Sequence, residues 1–231
     1  MKNILLTFGA VVCCLGSAVV LADQSNINDI EDAGLRGDAK TLQDLVKSED
    51  LYDAALAQYR LAIIYKGSNG LNEAKQALTK SMEQLETLVQ KEPSNAEAWA
   101  LLSLVYGTQV GVSPELSGEY GPKAGRSISK AKAIAPENPR VSLVAGINDY
   151  FTPTMFGGSK ISALDALDRA ASNYAGDKDS GYHWGVAETY VWRGLVRMEL
   201  GDREKALNDW RAAIAIEPNY YWANALLKKN Q

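Results

Sequence analysis

Residues 190–218, YVWRGLVRMELGDREKALNDWRAAIAIEP, constrain this chain more than any other stretch. They read as two helices joined at Gly201-Asp202, the second stopping at Pro218. Gly194 and Ala206 are small, so two antiparallel helices can approach closely there. Ala206, Trp210 and Ala213 stand four and three residues apart, which puts all three on one helix face. Gly201 suits the left-handed residue that closes a helix. Asp202 suits the cap of the next, with acidic Glu204 in its first turn. Pro218 cannot continue a helix.

The same pattern recurs upstream. Ala124, Ile128, Ala131 and Pro136 repeat the gaps of four, three and five residues, and Ser81, Leu85, Leu88 and Pro93 are a degenerate copy. Ala163, Leu167 and Ala170 repeat the second-helix pattern again. Matching first helices surround Leu61, Ala62 and Tyr65, then Trp99, Leu102, Ser103 and Tyr106, then Gly146. The last of these opens with Asn138-Pro139, a cap followed by a first-turn proline. A period in the thirties signals a solenoid, in which each hairpin buries its face on its neighbour.

The spacing of Tyr190, Gly194, Gly201, Ala206, Trp210, Ala213 and Pro218 closely resembles the tetratricopeptide repeat (TPR). The resemblance implies an all-α chain, a TPR-like right-handed superhelix of antiparallel helix pairs with inserts between helices. Four units occupy residues 51–231, ending in a short capping helix over 220–229, and residues 23–50 form an N-terminal capping helix pair. The sequence predicts helices over 51–66, 71–92, 96–106, 124–135, 139–151, 160–174 and 182–200. Residues 107–123 read as an irregular insert, 152–158 as a sharp break and 176–181 as a polar linker. Paired acids such as Asp165 and Asp168 read as solvated faces.

Residues 1–22 read differently. Lys2 gives a positive start, residues 4–21 are mostly apolar, and Val20-Leu21-Ala22 forms a small-residue exit. The pattern predicts a secretory signal cut after Ala22 and a periplasmic protein with no membrane span after cleavage. That exit disfavours an uncleaved anchor, and Val11-Val12 before Cys13 and Cys14 do not form a lipobox. Both cysteines lie in this segment, so the mature chain is expected to have none. Thiol chemistry and cysteine-based metal binding are thereby excluded for it, and its apolar core must hold it without disulfides.

Little else points to chemistry. Twenty-four basic against 28 acidic residues give a net charge of -4, which argues against nucleic acid as a partner. His183 is the one histidine, too few for a common zinc site. No Gly-x-Ser-x-Gly elbow is present, and residues 121–127, GPKAGRS, lack the Gly-Lys-Ser/Thr ending of a phosphate loop. The expectation is no catalysis, no cofactor and no metal.

The resemblance implies instead that first helices line a concave inner face. Its inner positions fall here on Tyr59 and Ile63, Ala100 and Leu104, Leu143, Ile147, Tyr150 and Phe151, then Val191, Leu195 and Met198. The Lys, Arg and Asn clamp that grips a peptide's terminal carboxylate in some TPR proteins is absent from these positions. The candidate contact residues are Tyr59, Ile63, Leu104, Leu143, Ile147, Tyr150, Phe151, Phe156, Leu195 and Met198. An apolar wall of this kind suits a protein or peptide partner in the cell envelope, held by an exported scaffold or adaptor. It also suits a small hydrophobic ligand in an apolar cavity, with Trp184 added to its lining. Alternatively the two inserts fill the wall as ordinary core. Residues 151–158 are also similar to a stretch in TPR subunits associated with periplasmic TRAP transporters, whose helices wrap an apolar channel.

Overall fold

The computed structural model describes residues 24–177 and 180–231; the signal segment expected over 1–22 lies outside the described residues. The helices are α1 (Gln24–Arg36), α2 (Ala39–Leu45), α3 (Leu51–Gly67), α4 (Leu71–Lys91), α5 (Ala96–Val112), α6 (Ser117–Ile134), α7 (Pro139–Phe151), α8 (Lys160–Asn173), α9 (Val186–Glu199), α10 (Arg203–Ile216) and α11 (Tyr221–Asn230). There is no strand among the described residues. The hairpins α3–α4, α5–α6, α7–α8 and α9–α10 stack in order, and α11 covers α10. The chain is an all-α TPR superhelix.

The small-residue logic operates at atomic range. A Cβ on Gly194 would lie 2.4 Å from Trp210 Nε1, and one on Gly146 would lie 2.6 Å from Leu167 Cγ. Trp210 is 1% exposed and donates its indole N–H to the Val191 carbonyl at 3.3 Å. In the two earlier hairpins serine makes the close approach. Ser81 donates its hydroxyl to the Ala55 carbonyl, and Ser103 donates to that of Ala124, each at 2.8 Å. The degenerate copy therefore keeps its buried hydroxyl satisfied across the hairpin. Gly201 takes φ +87° and closes α9, and Asp202 caps α10 by accepting from the Lys205 N–H.

Three expectations are corrected. Residues 107–123 are largely helical: α5 runs on to Val112, a single 3-10 turn covers Pro114–Leu116, and α6 begins at Ser117. Pro122 and three glycines weaken α6 locally, but side-chain contacts offset them. Tyr120 packs on Tyr106 at 5.7 Å, and Lys123 pairs with Glu119 one turn earlier at 2.8 Å while lying over the Tyr120 ring. Second, α9 starts at Val186, not 182. The preceding residues turn inward: Trp184 is buried and donates to the Tyr52 hydroxyl at 2.8 Å, and Tyr182 meets the Tyr52 ring edge-on at 4.7 Å. Gly185 ends that loop at φ +87°, where a Cβ would stand 2.7 Å from the Tyr174 hydroxyl. Third, Asp168 is not a merely solvated acid. It accepts from Arg193 at 3.0 Å and Arg197 at 3.2 Å, and both arginines also hold buried Asp209, tying α8, α9 and α10 together.

The array closes on itself. α2 lies against α3, while α1 turns onto the inner face, packing on α3 and reaching α11. Gln24 accepts from the His183 N–H at 2.7 Å and donates to its carbonyl at 3.0 Å. Glu31 accepts two bonds from Arg60, at 2.7 and 2.9 Å, and Arg60 also pairs with Glu188 at 2.8 Å. Arg60 belongs to α3 and Glu188 to α9, so the first and fourth hairpins meet around α1.

Candidate functional site

The inner stripe, extended one helical turn towards the starts of α5, α7 and α9, is charged. Glu97, Arg140 and Glu188 each stand three residues before a mapped inner position, at Ala100, Leu143 and Val191. Arg140 is fully buried; its guanidinium donates to both Glu97 oxygens at 2.7 Å and to Asp177 at 2.8 Å, and His183 Nδ1 lies 3.0 Å from Asp177. Burial pushes the Asp177 carboxyl up, but the hydrogen bonds and charge of Arg140 outweigh it and hold it below the ordinary range. Burial pushes the Glu31 carboxyl above its ordinary range, with Arg60 opposing the rise. Such networks add little net stability over apolar packing, yet losing one member strands a buried charge. The mapped apolar positions therefore border a layer of ion pairs at the N-terminal ends of the first helices, the upper inner face, covered by α1 and residues 180–185.

The predicted contact residues divide into two groups. Tyr59, Leu104, Leu143 and Ile147 are at most 5% exposed and belong to the core. Ile63 is 39% exposed, Tyr150, Leu195 and Met198 are half-buried, and Phe151 and Phe156 are 65% and 73% exposed. The accessible ones cluster towards the C-terminal ends of α3, α7 and α9 and on the loop after α7. Two tryptophans missed by the sequence reading join them. Phe151 lies 5.0 Å from Tyr150 and 5.4 Å from Trp192, Tyr150 lies 5.7 Å from Trp192, and Trp192 lies 5.0 Å from Trp222. These rings form one ladder from α7 across α9 to α11, tilted or edge-to-face throughout. Trp192 stands three residues before Leu195, so the same stripe rule identifies it; Trp222 sits in a tail helix read only as a cap.

The loop beside the ladder has one workable backbone. Gly157 takes φ +93°, and a Cβ on Gly158 would lie 1.7 Å from the Thr152 carbonyl oxygen. This turn carries Met155 and Phe156 outward, with Met155 83% exposed, so residues 151–158 do not fill the inner face. Lys160 anchors the edge. Its ammonium lies 3.3 Å from the Tyr150 ring centroid, donates to the Tyr150 carbonyl at 2.9 Å and pairs with Glu199 at 3.1 Å. The Tyr150 hydroxyl donates to Glu199. Burial, then that hydrogen bond, push the Tyr150 phenol up to about 12, so it remains a protonated donor at neutral pH.

Two open surface clefts lie elsewhere. One of about 450 Å³ is lined by Glu137, Asn138, Ser172, Asn173 and Asp177 among others, and one of about 250 Å³ by Asn26, Ile30, Asp44 and Asp53 among others. Neither includes a ladder residue, and the ladder itself is an open rim. Among the described residues, no group of three or more His, Cys, Asp or Glu side chains is placed to hold a metal ion, and no helix is long and apolar enough to cross a membrane.

No family model and no curated protein matches this chain. Solved structures do. The HusA haemophore from Porphyromonas gingivalis is similar over 76% of this chain and 91% of its own, with 23% identity and a TM-score of 0.58. The TPR protein TTC0263 of Thermus thermophilus is similar over 83% of this chain and 85% of its own, with 17% identity and a TM-score of 0.52. Both likenesses concern the fold, the helix-hairpin superhelix read from residues 190–218 and their copies.

Proposed function

We propose that this chain is a non-catalytic scaffold that holds a partner protein or peptide by apolar side chains docked on the aromatic rim. The observation that carries this reading is the ladder Phe151–Tyr150–Trp192–Trp222, followed in the chain by the exposed Met155 and Phe156, at the accessible end of the inner face. Grouped exposed apolar side chains next to charge mark docking surfaces in soluble proteins. Rings already locked against one another lose little freedom when a partner arrives. The partner is an extended or helical segment carrying two or more large apolar residues. The signal pattern of residues 1–22 supports export and a partner in the cell envelope.

The test is selection of phage-displayed random peptides on the immobilised chain, scored again on Phe151→Ala and Trp192→Ala. Enriched peptides should be rich in aromatic and aliphatic residues and bind each variant at least about tenfold more weakly, as expected for a buried anchor. Enrichment insensitive to both substitutions contradicts the proposal.

A second reading is favoured by the ring ladder itself: a carrier for a flat apolar molecule, as a free or transporter-associated subunit. The haemophore whose fold this chain shares gives the probe. Titration with haem should quench the emission of Trp192 and Trp222, a loss absent from their Phe variants, and should fail with Phe151→Ala if this reading holds; unchanged emission removes it.

A further inference from the structure

We infer that the upper inner face, between α3 and α9, is a receptor for an amphipathic helix, and that α1 is its occupant in cis. The proposal goes beyond the rim reading and uses other residues. α1 has the form of a bound helix: Ile27, Ile30, Ala33 and Leu35 are buried, and Asn28, Asp29, Asp32 and Arg36 face solvent. Its single buried acid, Glu31, meets the groove's buried Arg60 through two hydrogen bonds. Gly34 lets α1 sit close on α3: a Cβ there would lie 3.0 Å from the Arg60 stem. Leu35 joins the apolar cluster of Ala187, Val191, Tyr220 and Ala223. A partner helix fits by the same chemistry: Ile-x-x-Ile-Glu, then Ala-Gly-Leu after one residue.

The groove keeps its own charge balance when α1 leaves. Arg60 pairs with Glu188 of the opposite wall at 2.8 Å as well as with Glu31, so departure of Glu31 does not strand the arginine. α1 is also a short helix of 13 residues, tied to α2 by Gly37-Asp38, with Gly37 exposed at φ +77°. A helix of that length is marginal by itself and forms because the groove supports it. Local opening of such a terminal element precedes global unfolding.

The test uses the full chain, with a fluorescein-labelled peptide of residues 24–36 followed by anisotropy, and hydrogen exchange of α1 read in parallel. Glu31→Ala weakens the resident helix and leaves the Arg60–Glu188 pair. It should take up the peptide at least about tenfold more tightly than wild type, and a peptide carrying Glu31→Ala should lose that gain, as for a charge-assisted buried pair. Two results overturn the proposal: α1 amides that exchange only together with those of α3 and α9, or no uptake by a variant whose α1 amides are exposed. If Glu31→Ala fails to fold, a protease site inserted at Gly37-Asp38 of the full chain replaces it. After cleavage the labelled peptide should displace α1, and permanent retention of α1 contradicts the inference. Phe151→Ala should leave this exchange unchanged, which separates its outcome from that of the rim.

Discussion

Gly194 and Trp210 show how one pair of residues fixes a hairpin. The indole fills the space a glycine leaves, and its N–H finds the Val191 carbonyl. Trp210→Ala should therefore cost about 3–5 kcal/mol in urea unfolding. Gly194→Ala, which forces a methyl into the same ring, should cost about 1–3 kcal/mol. Phe151→Ala should change stability by no more than about 0.5 kcal/mol, because the ring is mostly exposed. A large loss there would mark it as core. The hairpin residues were legible because small opposite large recurs at fixed gaps. The contact residues were less so: Tyr59, Leu104, Leu143 and Ile147 lie on the correct stripe but too deep along it, and a stripe does not specify depth.

At the scale of elements, the helices of the four hairpins follow from the pattern, and the filler does not. Residues 176–181 read as a polar linker and 182 onward as helix, yet Tyr182 and Trp184 bring a loop inside before α9 starts at Val186. Its polar hold is Asp177, between Arg140 and His183. The folded-state pKa of Asp177 lies below the ordinary aspartate value of 3.8, so the charged form stabilises the loop above that value. The hold fades as pH falls through the depressed pKa. Amides of residues 180–185 should lose protection from exchange below about pH 4, and Asp177→Asn should remove most of that acid dependence. Protection that is equal in both proteins at every pH contradicts the assignment. No local periodicity announces such pairs, because Glu97, Arg140 and Asp177 come from three separate segments that meet only in the closed superhelix.

For the molecule as a whole, closure is the organising fact. The first and fourth hairpins meet around α1, the upper inner face is ion-paired and buried, and the lower rim presents rings to solvent. A repeat pattern gives stacking but not how tightly the stack curls, since curl arises from residues such as Arg60 and Glu188 that touch across it. Arg140→Ala, which strands Glu97 and Asp177, should cost about 3–5 kcal/mol and loosen that curl. Hydroxyl-radical footprinting of the intact chain, read by mass spectrometry, tests the closed face and open rim together. Phe151, Met155 and Phe156 should oxidise quickly and become protected when a rim-selected peptide is bound, while Tyr59, Trp184 and Trp210 stay protected in both states. Oxidation of Tyr59 and Trp184 as fast as that of Phe151, or peptide protection that spares Phe151 and Phe156, would contradict the account.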